Sequence, residues 1–216
     1  MNVKTVGLDE NSVLKINTAD SLKFDTTPAV VESIEIFKLV SEDSPILRKV
    51  LPEFDFSNPP VDPNKFASSL VESCKKYNGL GLSANQCGFE HRVFVMGAGD
   101  DFVAFFNPKI LSASGEVHMK EGCLSFPLLG LSITRPKEIL VEYQDFNGKK
   151  HTTKLVGISA RCFLHELDHM NGIVFTSRAK PLALKTGVEK KNKMIKKLTS
   201  FYSIQSDPRL MKKHKN

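Results

Sequence analysis

The chemistry in this chain concentrates in one pentapeptide, His165-Glu166-Leu167-Asp168-His169. On a helix, residues four apart project from one face, one turn from each other. Two imidazoles spaced in that way can hold one divalent cation, with Glu166 beside them to handle protons rather than to ligate. The competing reading is a surface helix whose charges pair at three and four residues. Cys162, Phe163, Leu164 and Leu167 around the motif favour a core helix instead. There, unpaired imidazoles and a carboxylate would be costly to bury, so the metal reading prevails. Two histidines leave the set incomplete. The downstream Glu or His of the zinc peptidases is not evident, the next Glu is Glu189 in a lysine-rich stretch, and His118 and His151 sit in undistinguished settings.

Two further boxes lie upstream: Glu121-Gly122-Cys123-Leu124-Ser125, and Gly79-Leu80-Gly81-Leu82-Ser83-Ala84-Asn85-Gln86. Together with the His165–His169 box they resemble, in order, the three motifs of the peptide deformylases. The resemblance extends from Pro45-Ile46-Leu47-Arg48 to Gly172. It implies that Cys123 is the third metal ligand beside His165 and His169. Thiolate and imidazole suit Fe2+, Zn2+, Ni2+ or Co2+, and ferrous iron is what the resemblance suggests. It also implies that Glu166 is the general base and acid. Gln86 and the backbone N–H of Leu124 would bond the formyl oxygen, Gly81 would contact the peptide backbone, and Leu80 and Gly122 would border the methionine pocket.

The implied activity is metal-dependent hydrolysis that releases formate from N-formylmethionyl peptides. A metal there would lower the pKa of a water from about 15.7 toward 7. Two other classes stay open at this point. One is a zincin-type metallopeptidase, which has no need of Cys123. The other is a non-catalytic, metal-stabilised module that binds the ribosome, for which a fourth Cys or His is not well placed. Ser83 stands where many family members have Ala, and the exchange is expected to be silent. Leu164 stands where Gln is frequent, so a supporting hydrogen bond is not expected from it. Arg135 resembles a structural arginine that pairs with acids such as Asp168 or Glu121.

These side chains need elements to position them. Asp62 and Pro63 open a helix whose face carries Phe66, Leu70, Val71, Cys74 and Tyr77, with Asn78-Gly79 as its stop. Arg92–Met96 and Phe102–Phe106 read as short strands, the second ended by Asn107-Pro108. Glu138–Asp145 and Lys149–Val156 flank Asn147-Gly148 and predict a hairpin. A second helix runs from Ile158 to about Met170, capped by Ser159 or Gly157. A third covers about Val188–Tyr202, with Met194, Ile195, Leu198, Phe201 and Tyr202 on one side and lysines on the other. Pro45, Pro52, Pro59, Pro60 and Pro63 make 41–63 a loop region holding at most a turn of helix.

The order of elements predicts a single α+β domain, with mixed or antiparallel strands packed around the central H-E-x-x-H helix and a C-terminal helix. Residues 1–40 are a lead-in with irregular or short-strand character, 41–180 the catalytic domain, and 181–216 a basic helix and tail. With 216 residues, 41% hydrophobic and 25% charged, the chain can build an ordinary globular core. No apolar run spans a membrane, and Asp9, Glu10 and Asp20 argue against a transit peptide, so a cytoplasmic protein is expected. The four cysteines form no C-x-x-C pair, and all except Cys123 read as reduced, buried thiols. Net charge is +6, weighted toward the C-terminal lysines, which suits either a polyanion such as ribosomal RNA as a partner or simply a solvated polar helix and tail.

Overall fold

A computed structural model describes residues 4–5 and 34–206 of the chain. It contains a two-residue strand β1 (Lys4–Thr5), helix α1 (Pro63–Lys76), and strands β2 (Gly81–Ser83), β3 (Val93–Ala98) and β4 (Asp101–Ser114). Strands β5 (Val117–Cys123), β6 (Phe126–Arg135), β7 (Glu138–Gln144) and β8 (Lys150–Val156) follow, then α2 (Gly157–Met170) and α3 (Pro181–Ser206). Among the described residues the strands form one sheet in the order β1-β8-β7-β4-β3-β2 and a separate β5–β6 hairpin. All pairings are antiparallel except β1 with β8. The expected α+β architecture, mixed strands around a central helix with a C-terminal helix, is what forms. The lead-in expected over 1–40 lies largely outside the described residues.

Local chemistry explains the boundaries. The Asp62 carboxylate accepts the Lys65 N–H at 2.8 Å and caps α1, while Pro63 occupies the first turn, where its missing N–H costs nothing. At the other end the left-handed residue is Asn78, at φ 55°, rather than Gly79. Gly79 serves close packing instead: a Cβ there would lie 2.7 Å from Leu124 Cδ1. Helix α2 has no side-chain cap. Gly157, at φ 58°, turns the strand into the helix, and Ser159 is buried in the first turn, so neither residue caps as the sequence suggested.

Two strand readings change. Asn107-Pro108 does not end a strand, because β4 runs on to Ser114 with register shifts between Phe106 and Lys109. Asn107 takes φ 49°, which Asn tolerates, and its side chain bonds the Phe54 N–H and carbonyl, closing the irregularity. The β5–β6 hairpin was not read from the sequence, since its residues alternate weakly and carry glycines inside the strands. Helix α3 begins at Pro181, seven residues ahead of expectation. Its first half packs on β6, with Leu184 against the cluster of Leu47, Phe126, Leu129, Ile133 and Phe175, and Gly187 beside Leu131. Met194, Ile195 and Leu198 remain part-exposed.

Strand β3 is apolar on both faces because both are covered. Phe94 and Met96 meet Phe163, Leu167 and Met170 of α2, and Val93 and Val95 meet Leu70 and Val71 of α1. Phe163 is fully buried and sits edge-on to Phe94 and Phe105. Truncating it to Ala should cost about 3–5 kcal/mol. Helix α2 is thereby clamped against the sheet, and the face that carries His165, Glu166 and His169 is directed at β2 and the β5–β6 hairpin. Among the described residues, no helix is long and apolar enough to cross a membrane.

Candidate metal centre and active site

One imidazole atom each from His165 and His169 and the Cys123 sulfur lie within 4.8 Å of one another. The two histidines come from one face of α2, and Cys123 comes from the end of β5, where the register to β6 slips between Glu121 and Cys123. The Cys123 Sγ to His169 Nε2 distance is 3.3 Å. His165 Nδ1 lies 3.1 Å from Glu121 Oε2, which leaves Nε2 as the ring nitrogen available to a cation. Donor chemistry and spacing both fit one divalent cation with room for a further ligand.

A cavity of about 380 Å³ opens on this set. Its walls include Leu80, Gly81, Gln86, Gly122, Cys123, Leu124, His165 and Glu166, so the three sequence boxes converge on one space. His169 lies beneath it, 1% exposed. Gln86 Nε2 is 3.1 Å from Ser125 Oγ and 3.5 Å from Cys123 Sγ, and its Oε1 accepts the Ser83 N–H at 2.9 Å. That capping bond fixes the amide so that its N–H groups face the cavity.

A model of the polypeptide deformylase family matches residues 36–185. The chain belongs to the peptide deformylase family. The peptide deformylase of Thermotoga neapolitana is 44% identical over 113 residues, which span 52% of this chain and 69% of that protein. That of Carboxydothermus hydrogenoformans is 33% identical over 144 residues, 67% of this chain and 93% of that one. Among solved structures, the Thermotoga maritima peptide deformylase superimposes with a TM-score of 0.62 at 36% identity, covering 68% of this chain and 99% of that one. The Legionella pneumophila enzyme gives 0.66 at 30% identity, covering 77% and 98%.

Beneath Cys123, His165 and His169 lies a buried charge network. Arg135 donates to Glu121 at 2.6 Å and to Asp168 at 2.8 Å, the pairing its resemblance implied. Arg161 also donates to Glu121, and Arg178 reaches Asp168 at 2.6 Å. Sequence reading did not single out Arg161, nor Glu121 as the support of His165. A carboxylate one residue before the Gly-Cys pair was the available signal. Burial works to raise the Glu121 carboxyl, but hydrogen bonds from His165 and Arg135 outweigh it and bring it to about 2. Burial, His165 and Arg135 together push His169 well below its ordinary value, which favours the neutral imidazole.

Glu166 is 3% exposed, and burial raises its carboxyl above the ordinary value against the opposing influence of His165, Ser83 and Arg135. An elevated carboxyl suits a group that must take and return a proton. Ser83, expected to be a harmless exchange for Ala, has its hydroxyl 2.6 Å from Glu166 Oε2. Leu164 packs in the core and supplies no side-chain hydrogen bond, as its type dictates. Cys74, Cys87 and Cys162 are unpaired thiols that burial pushes upward, Cys87 to about 12. Cys74 is buried as expected, while Cys87 and Cys162 are only half-buried, and His118 and His151 bond Thr134 and Asp145 away from the site.

Proposed function

We propose that Cys123, His165 and His169 hold one divalent metal, Fe2+ in the cell, at which the chain hydrolyses the formyl amide of N-formylmethionyl peptides. The observation that carries this is the convergence of one thiol and two imidazoles, within 4.8 Å of one another, at a cavity whose walls include Cys123, His165, Glu166 and Gln86, with His169 beneath it. When bound, the cation supplies Lewis acidity to water and to the formyl oxygen. Gln86 Nε2 and the Leu124 N–H donate to that oxygen as negative charge develops. Glu166 accepts the proton of the attacking water at Oε1, beside which Gly81 leaves space, and returns it to the departing amine nitrogen. Formate and a free N-terminal methionine are the products. Leu80 and Gly122 border the pocket for the methionine side chain, and Gly81 lies along the peptide backbone.

Metal-loaded protein should release formate from formyl-Met-Ala-Ser and leave casein intact. Casein cleavage without formate release would mean a zincin-type peptidase instead. Cys123→Ala should lose both metal and activity, whereas a zincin would not need that sulfur.

The catalytic unit in this reading is 41–180, supported by the family match over 36–185, with 181–216 as an appended basic element. A cytoplasmic location belongs to the same reading, because nascent formylated chains are the substrate. The basic element would dock on ribosomal RNA. His118, Lys120, Lys180 and Lys190 line a cleft of about 500 Å³ between the β5–β6 hairpin and α3, which supports a phosphate-rich partner. Ribosome co-sedimentation should fall when Lys180 and Lys190 are changed to Glu, and unchanged co-sedimentation would dispose of the docking.

A further inference from the structure

Strand β2 presents its residues alternately to opposite sides, so Gly81 and Ser83 share the face turned to α2. That face meets the Glu166 carboxylate at both oxygens. Ser83 Oγ lies 2.6 Å from Oε2. A Cβ on Gly81 would lie 2.6 Å from Oε1, so the missing side chain is what lets that oxygen occupy its place. Ser83 itself is fully buried, and its N–H is held by Gln86 Oε1 at 2.9 Å. Its Oγ is also 3.3 Å from the Glu166 carbonyl, but a hydroxyl has one proton and the shorter contact takes it.

We propose that Ser83 is a positioning residue for Glu166, committing Oε2 to a hydrogen bond so that Oε1 alone faces the reacting water. Among the described residues, Ser83 is the side-chain donor to that carboxylate. An ionised carboxylate bound to a buried hydroxyl is a strong, directional contact. Without it the carboxylate can rotate about its last torsion, a broad and soft one, and its time in the productive orientation falls. The same strand therefore aims two groups: Gln86 through the Ser83 N–H, and Glu166 through the Ser83 hydroxyl.

The inference rests on the deformylase reading, which formate release by metal-loaded wild type checks separately. In metal-loaded full-length protein, Ser83→Ala should lower kcat for formyl-Met-Ala-Ser about five- to tenfold, with KM within about twofold of wild type. Metal content after gel filtration should not change. Ser83→Cys keeps the buried volume but is a weak donor, so it should show the same loss. In a Glu166→Gln background, adding Ser83→Ala should have no further effect, since the group being aimed is no longer a base. An unchanged kcat, a rise in KM that accounts for the loss, a drop in metal content, or an equal loss in the Glu166→Gln background would each overturn the proposal.

Discussion

The Glu121 carboxylate stands 3.1 Å from His165 Nδ1 while the same group carries Arg135 and Arg161. One buried acid thus orients the His165 imidazole and shares its single negative charge between two buried guanidinium groups. A carboxylate behind a ligating imidazole fixes its tautomer and raises its basicity. Glu121→Gln should weaken metal binding about 10- to 100-fold, read by competition with a chromogenic chelator. Affinity equal to wild type would show that His165 is oriented by packing alone.

Arg135 is 5% exposed and pairs with Glu121 and Asp168, both buried. Removing Arg135 leaves two buried carboxylates with reduced compensation, Glu121 with Arg161 and Asp168 with the more exposed Arg178. Arg135→Leu should destabilise the metal-loaded protein by about 3–5 kcal/mol in urea unfolding. A loss below about 1 kcal/mol would mean that Arg161 and Arg178 take over its role.

Glu166 has no place among the ligand atoms, so its removal should separate turnover from metal binding. Glu166→Ala should retain metal and lose about two orders of magnitude in kcat. Wild-type turnover in that variant would reassign the proton transfer.

Gly81 is a gap with a purpose, since a methyl group there would collide with Glu166 Oε1 at 2.6 Å and Cys162 Sγ at 2.9 Å. Displacing a reacting group by a fraction of an ångström is expensive in rate. Gly81→Ala should cut kcat about tenfold or more, with its thermal midpoint and metal content much less affected. A variant that loses metal before activity would contradict this account.

His91 sits among Phe54, Phe66 and Phe89, and burial lowers its pKa below 6.5, against a weaker backbone hydrogen bond. The unfolded chain therefore binds the proton more tightly than the folded one. The neutral ring's contribution is fully present above pH 6.5 and is lost as pH falls toward and through the lowered value. The thermal midpoint of wild type should drop between pH 7 and pH 5 more steeply than that of His91→Phe. Parallel curves would assign the acid sensitivity to other groups.

What the sequence by itself determined is local in origin. The i, i+4 spacing of His165 and His169 follows from helix geometry alone, and so does the cap that Asp62 and Pro63 give α1. The β7–β8 hairpin has a local signal too, although its connection is the longer 145–149 loop, in which Gly148 takes φ 76° and the Asp145 carboxylate accepts the Asn147 and Lys149 N–H groups. The role of Cys123 was legible only through its resemblance to a family, because nothing local distinguishes it from a buried thiol.

Tertiary structure decided the rest. Ser83 looked like a small spacer, and its hydroxyl acquires a partner only when β2 is laid against α2, 83 positions along the chain. Glu121 and Arg161 meet because the β5–β6 hairpin folds over the helix, and that hairpin left only a weak alternation in the sequence. Hydrogen bonds between distant segments depend on where the backbone carries each atom, to within about 0.5 Å. Residue type and spacing encode periodicity and turn chemistry, but not that meeting of surfaces.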